Sequence, residues 1–270
     1  MAKETLKSKR ENPLYTKALQ LQGNGKLLDY DDPETGEKFR YAQVNVPAVK
    51  CCPFATEGCK AVCYATKGNH VFPSVQKSRE RSLQETKRTD FAEAMFYTIT
   101  TELSSKRYAD CIMLVRTHES GDFYSLQYLK KTVKYWSMFE GNMQVRFVFY
   151  TKSFPFFLQL TEEEQAVIIR MMEAGQIAMN LSLDDTTTEE QWKAYAKMRK
   201  VFRLANTYIC TIYYDDIKHD NVCDCANCAK CGTCNRSTGK ITVVIIHSAS
   251  KEDIEAYRRG MKRRLFQLVA

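Results

Sequence analysis

The residues best suited to chemistry are the cysteines. The chain has eleven in 270 residues, and two of them, Cys111 and Cys210, stand alone in apolar segments and are interpreted as small core residues. The other nine fall into two short stretches, Cys51, Cys52, Cys59 and Cys63, then Cys223, Cys225, Cys228, Cys231 and Cys234. Such grouping is typical of metal sites, whereas structural disulfides are rare in a reducing compartment. We therefore expect a metalloprotein.

The first stretch predicts a site with three thiolates. Cys59 and Cys63 are four residues apart, so one helical turn places them on the same face, and the loop around Pro53 and Gly58 can return Cys52 to them. Three thiolates suit an iron–sulfur cubane with one iron open to another ligand, and they are also compatible with zinc. The spacing differs from the Cys-x3-Cys-x2-Cys of radical S-adenosylmethionine enzymes, which argues against that cosubstrate.

The second stretch favours iron–sulfur ligation more strongly. Four of its cysteines repeat every three residues, namely Cys225, Cys228, Cys231 and Cys234. This is the close spacing of ferredoxin-type ligation, whereas zinc normally uses two Cys-x2-Cys pairs separated by a longer insert. Cys223 is then a spare cysteine, a ligand to the other cluster or a substitute for one of the four. We expect one or two iron–sulfur clusters of the 4Fe-4S type, with zinc as the alternative.

An alternation of strands and helices must position these residues. Apolar segments predict strands at 38–46, 111–116, 145–150, 177–183, 208–213 and 241–246, after a turn or hairpin at 28–37. Helical spacing predicts helices at 73–87, 89–103, 125–139, 161–174, 188–204 and 250–268. Thr161, Thr187 and Ser250 are each followed three residues later by an acidic residue, which indicates helix N-caps.

This alternation predicts the α/β class, with a parallel sheet of βα units, because consecutive parallel strands need crossover helices. The sheet is expected to be an open or partial TIM-like barrel with cysteine-rich loops at one end. No low-complexity linker divides the chain. We therefore predict one α/β domain over 1–270, with an N-terminal cysteine loop at 51–63 and a C-terminal cysteine-rich insertion at 223–234.

Polar residues follow the predicted strands, where the loops of a parallel sheet converge. His118, Glu119 and Asp122 follow the strand at 111–116, and Lys152 follows the strand at 145–150. These types can position a substrate and move protons, so the four are the candidate catalytic residues, with Tyr150 as a further candidate.

Charge and hydropathy narrow the class of protein. The net charge is +8 and the pI about 8.8, with lysines and arginines concentrated near both ends. No segment approaches the roughly 18 consecutive apolar residues of a membrane helix, and the first ten residues lack the apolar core of a signal peptide, so we expect a cytoplasmic protein without membrane contacts. The basic ends keep nucleic acid possible as a partner.

Several of these motifs together resemble the gene product 88 family of phages and mobile elements. The resemblance rests on Gly23-Asn-Gly-Lys26, Cys52-Pro53, Cys59, Cys63-Tyr-Ala-Thr-Lys-Gly68, Phe72-Pro-Ser-Val75, His118-Glu-Ser-Gly-Asp-Phe-Tyr-Ser125, Tyr150-Thr-Lys152 and Cys231-Gly-Thr-Cys234. It extends through most of the chain and departs from the family pattern in its five crowded tail cysteines. The resemblance implies the architecture and the metal rather than a particular reaction.

Two functions are consistent with these observations. The first is an iron–sulfur enzyme of the redox or radical type, with a cluster near the carboxyl ends of the strands and an unknown small-molecule substrate or electron donor. The second is a zinc-stapled nucleic-acid-binding protein of a phage or mobile element, which would use its basic ends on phosphates.

Overall fold

The structure is a computed structural model that describes residues 29–32, 35–211, 233–245, 251–252 and 255. Its centre is a seven-stranded sheet. The strands are β1 Tyr30–Asp31, β2 Lys38–Val44, β3 Ile112–Thr117, β4 Val145–Thr151, β5 Ile177–Asp184, β6 Asn206–Thr211 and β7 Ile241–Ile245. Their order in the sheet is their order in the chain. β1 is antiparallel to β2, and β2 to β7 are all parallel, which confirms the predicted parallel α/β sheet.

Helices connect the parallel strands. They are α1 Glu57–Ala61, α2 Pro73–Thr86, α3 Phe91–Leu103, α4 Leu126–Ser137, α5 Phe154–Phe157, α6 Glu162–Glu173 and α7 Glu189–Val201. Short 3₁₀ turns lie at Tyr64–Thr66, Gly68–Val71, Lys106–Tyr108 and Thr233–Asn235. None of the helices in the described residues is both long and apolar enough to cross a bilayer.

Most predicted elements are present, with differences at their ends. The capping box at Thr161 and Glu164 is confirmed. The N-cap predicted at Thr187 is wrong by one residue, because the hydroxyl of Thr188 accepts the N–H of Gln191. β6 begins at Asn206 rather than 208, because Asn206 pairs with Asn180 although its side chain is polar. The cap predicted at Ser250 and most of the helix predicted at 250–268 lie outside the described residues.

The two faces of the sheet carry different side chains. On the first face, strand residues such as Val44, Val115 and Phe149 join the large core cluster to which α3, α4, α6 and α7 contribute. The second face carries a smaller apolar cluster formed by Phe39, Leu114, Val148 and Ala178. Because side chains alternate along a strand, Gln43 and Arg116 share this second face.

The segment before β7 also packs on the second face. The 3₁₀ turn at Thr233–Asn235 contacts β4 and β5, and the side-chain amide of Asn180 donates to the carbonyl of Cys234 at 3.0 Å. Asn206 likewise donates to the carbonyl of Arg236 at 2.6 Å. These bonds bring Cys234, which is buried, onto the sheet.

Candidate cysteine site at the carboxyl ends of the strands

The loop that carries the first cysteines is fixed to the loop after β3. We call residues 45–63, which follow β2, the cysteine loop. The N–H of Val46 donates to the carbonyl of Ser120 at 3.1 Å, and the N–H of Asp122 donates to the carbonyl of Cys51 at 3.0 Å. Between these bonds Gly121 has a φ of +83°, and a β-carbon there would overlap Val46 and lie 2.9 Å from its carbonyl oxygen. Glycine is therefore required for the two loops to pack this closely.

A second anchor ties the cysteine loop to β5. Thr56 is the N-cap of α1, and its hydroxyl accepts the N–H of Cys59 at 3.0 Å. The same hydroxyl donates to the carboxylate of Asp184 at 2.6 Å. The N–H of Gly58 donates to the hydroxyl of Thr186 at 3.0 Å. Asp184 ends β5, so these bonds hold Cys59 at the carboxyl end of the sheet.

Backbone N–H groups act on two of the three candidate thiols. Against the effect of burial, the peptides of Ala65 and Thr66, in a 3₁₀ turn, lower the pKa of Cys63. The peptide of Val49 acts in the same direction on the pKa of Cys52. Peptide N–H groups near the sulfurs are among the features by which proteins tune metal-bound thiolates.

Val49 adopts an unusual conformation in this arrangement. Its φ is +63°, and it is the central residue of a tight turn in which the N–H of Lys50 donates to the carbonyl of Ala48 at 2.7 Å. A β-branched residue rarely adopts a positive φ, and such strain occurs most often at functional sites. The N–H of Cys52 donates to the carbonyl of Val49 at 3.1 Å, so this turn lies directly before the first candidate ligand.

The three candidate thiols affect one another electrostatically. Burial is the main cause that raises the pKa of Cys52, Cys59 and Cys63, that of Cys59 to about 11. Cys59 and Cys63 raise the pKa of Cys52 further, and Cys63 does the same for Cys59. The three thiols therefore lie close enough to interact electrostatically, and in the absence of a cation they are neutral thiols. Catalytic nucleophiles have lowered thiol pKa values, so this site differs from a cysteine nucleophile.

Cys51 has a different environment from its neighbour Cys52. It is buried in a small apolar cluster with Val46 and Leu83, and burial raises its pKa to about 11. The four cysteines of the cysteine loop form no disulfide. The residues Cys223, Cys225, Cys228 and Cys231 lie outside the described part of the chain. Among described residues, no three His, Cys, Asp or Glu side chains are arranged to hold a metal ion.

Asp122 lies near the cysteines, and its pKa is raised. Burial raises its pKa to about 6, although hydrogen bonds act in the opposite direction. Its carboxylate accepts the hydroxyl of Thr151 at 2.8 Å and the N–H of Lys152 at 2.9 Å. Its charge raises the pKa of both Cys52 and Cys59. A carboxyl group with this pKa can accept or release a proton near neutral pH.

Lys152 forms a buried ion pair beside Cys59. Its Nζ lies 2.7 Å from the carboxylate of Asp184, and both side chains are almost fully buried. Burial acts to lower the pKa of Lys152, but Asp184 and then Cys59 raise it above its ordinary value. The pKa of Asp184 is held low by Lys152 and by the hydroxyl groups of Thr186 and Thr56, against the effect of burial. Lys152 therefore remains a cation and can stabilise negative charge on Cys59.

His118 lies in the core rather than beside the cysteines. It is 3% exposed, its Nε2 is 2.9 Å from the hydroxyl of Tyr128, and its ring packs edge-on against Phe123. Burial lowers its pKa to about 3, so it is neutral at pH 7. Its Nδ1 has no hydrogen-bond partner among the described residues. His118 thus contacts Tyr128 and Phe123 in the core, whereas the Asp122 carboxylate contacts Thr151 and Lys152.

Glu119 joins the loops by its main chain. Its N–H donates to the side chain of Asn45 at 2.8 Å, and its carbonyl accepts the hydroxyl of Tyr64. The Glu119 carboxylate acts to raise the pKa of Arg79 and that of Arg116. It therefore lies near these two arginines.

Sequence reasoning missed several residues of this site. Asp184 and Thr56 are not among the candidate residues predicted from the sequence. Asp184 ends an apolar strand, and Thr56 precedes the helical turn of Cys59, so position and capping preference could have indicated both. The positive φ of Val49 has no sequence signal, because valine is disfavoured there.

The fold and the position of the cysteines define a class of protein. This is a parallel α/β protein with strands in chain order and a loop of clustered thiols at the carboxyl ends of those strands. The family model described as gene product 88 matches residues 8–237, and the chain belongs to this family. Comparison with curated proteins and with solved structures gave no match.

Proposed function

We propose that this protein is an iron–sulfur protein in which Cys52, Cys59 and Cys63 bind a cluster, and that it acts as an enzyme of the redox or radical type. The observation that carries the proposal is that three thiols of one loop lie close enough to affect one another's pKa values. The chain order of six parallel strands is also the order found in barrels, and we propose an open or partial barrel with the cluster at its carboxyl end.

The donor type of the site suits a cluster. Three thiolates would each bind one iron of a cubane cluster and would leave the fourth iron open to another ligand. Three thiolates are also compatible with zinc, and the metal content distinguishes the two. The donor set of three cysteines thus fits an iron–sulfur cluster.

The surroundings compensate the charge of such a site. Binding would remove three protons from thiols whose pKa values are raised by burial. Lys152 lies beside Cys59, and the buried guanidinium of Arg79 acts on Cys63. These cations stabilise thiolates in a partly buried site.

The residues of the chain have separate roles in this proposal. A bound cluster with three cysteine ligands supplies one-electron chemistry and an iron open to substrate. Asp122 holds or releases a proton beside Cys52, because its pKa is about 6. Lys152 keeps its charge through Asp184 and orients an anionic group near Cys59. His118 supports the loop from the core, and Glu119 fixes it through its main chain.

A second cluster remains part of the proposal. Cys225, Cys228, Cys231 and Cys234 would bind it, with Cys223 as a spare, and it would relay electrons to the first. The bonds that hold the carbonyl of Cys234 on the second face support a position against the sheet for one end of this segment.

Metal analysis of the full chain purified without oxygen tests the proposal. We expect iron and acid-labile sulfide in equal amounts, about four of each per cluster, with an electron paramagnetic resonance signal after reduction. Colourless protein that contains zinc and binds DNA with a steep salt dependence would instead favour the nucleic-acid-binding alternative. Protein with neither metal would exclude both.

A further inference from the structure

A second candidate site lies on the second face of the sheet, formed by two residues to which no role has been assigned. Gln43 and Arg116 are direct neighbours in the pairing of β2 with β3. Ala42, Val44 and Val115, which flank them in sequence, pack in the large core on the first face. The side chains of Gln43 and Arg116 therefore stand side by side on the second face, near the carboxyl ends of their strands.

Arg116 has no conventional partner for its charge. Among the described residues it forms no ion pair and no hydrogen bond, and its Nε is buried without a partner. Its guanidinium lies 5.1 Å from the centre of the Tyr150 ring. By contrast Arg146, on the same face, is paired with Glu37. A guanidinium has five donors, so leaving them unused in a half-buried position is unfavourable.

Gln43 supplies a second unused donor. It is 1% exposed, and its Oε1 accepts the amide of Asn45 at 3.1 Å. This bond fixes the orientation of the Gln43 side chain and leaves its Nε2 without a partner among the described residues. A buried amide N–H that bonds to nothing is unfavourable, so an acceptor supplied by a ligand would stabilise it.

The acidic groups near Arg116 are a carboxylate and several phenols. Tyr64, Tyr150, Glu119 and Tyr41 act to raise the pKa of Arg116, against the effect of burial. Glu119 acts on Arg116 without forming an ion pair with it. The phenols stay neutral at pH 7. An anionic group of a ligand can therefore pair with the guanidinium of Arg116.

We propose that Arg116 and Gln43 bind an oxyanion, the carboxylate or phosphate group of a small-molecule ligand. The planar guanidinium can donate two parallel N–H bonds to such a group, and Gln43 adds a third. The ring of Tyr150 holds the guanidinium in place. This site goes beyond the proposed function, since it depends on the strand pairing and needs no metal.

Titration of the full chain with inorganic phosphate, and separately with acetate, tests the site and distinguishes the two sources of oxyanion. We expect one anion to raise the unfolding temperature and to bind measurably by calorimetry. In Arg116→Gln the affinity should fall at least tenfold. Arg170→Gln is the matched control, because it removes the same charge from an exposed surface pair with Glu140 and should bind as wild type does. Wild type that responds to neither anion, or Arg116→Gln that binds normally, would overturn the proposal.

Gln43→Glu provides an independent test that does not depend on loss of binding alone. The new carboxylate would lie beside Arg116 and take the place of the ligand. We expect a higher unfolding temperature without added anion and no further rise with phosphate or acetate. A lower unfolding temperature than wild type would contradict the proposal. The two proposals can fail separately. If the protein binds phosphate through Arg116 but contains no iron, the anion site is supported and the iron–sulfur function is contradicted.

Discussion

Gly121→Ala is the substitution whose effect follows most directly from the structure. Alanine at a φ of +83° costs about 1–2 kcal/mol, because the left-handed region brings its β-carbon close to the backbone. The new β-carbon would also overlap Val46 and lie 2.9 Å from the carbonyl oxygen of that residue, and overpacking of this kind costs about 1–3 kcal/mol. The expected loss in the free energy of unfolding is therefore about 2–5 kcal/mol.

Gly141→Ala separates the steric part from the conformational part. Gly141 has a φ of +85°, but a β-carbon there would meet nothing within 4 Å. Both variants restrict the unfolded chain equally, so the difference between them isolates the contact with Val46. We expect Gly121→Ala to be less stable by about 1–3 kcal/mol in urea unfolding, or roughly 4–8 °C for 2 kcal/mol in a domain of about this size. Equal stabilities would refute the packing of the two loops.

Two further predictions concern buried charge. Because the folded pKa of His118, about 3, is below its ordinary 6.5, the unfolded chain takes up its proton first. Stability should therefore fall as the pH drops from about 6.5 towards 3, by up to roughly 5 kcal/mol. His118→Asn, which tolerates the positive φ, should lose that part of the pH dependence in acid unfolding, and an unchanged slope would contradict the burial of the ring. Asp184→Asn should cost about 3–5 kcal/mol by leaving Lys152 unpaired in the interior, whereas Glu140→Gln, in an exposed pair, should unfold nearly as wild type does in urea.

The sheet could be predicted because its strands have strong local signals. β3 and β4 are mostly apolar runs with β-branched residues, and β4 adds aromatic ones, so their type and order follow from the sequence. β6 was placed two residues too late, because Asn206 and Thr207 are polar and join the strand through bonds to distant residues. A hydropathy pattern does not contain that information.

The candidate site depends in part on equally local signals. The spacing of Cys52, Cys59 and Cys63 predicts their grouping, but Cys63 lies two residues beyond the end of α1 with an extended backbone, so one helical turn does not carry both Cys59 and Cys63. Sequence alone did not indicate that the His118 ring lies in the core, at a residue whose φ is +68°. Arg116 was also missed, since one charged residue in an apolar strand shows its importance only when its partners are known.

The central claim is that Cys52, Cys59 and Cys63 hold an iron–sulfur cluster, and iron and sulfide contents of single cysteine variants test it most directly. Cys51→Ala is the matched control, because Cys51 is adjacent to Cys52 but packs in an apolar cluster. We predict that three anaerobically purified variants, Cys52→Ala, Cys59→Ala and Cys63→Ala, each lack the iron and sulfide of one cluster. Cys51→Ala should have the same iron and sulfide content as wild type. Equal iron and sulfide in all four variants, or none in wild type, would contradict the claim.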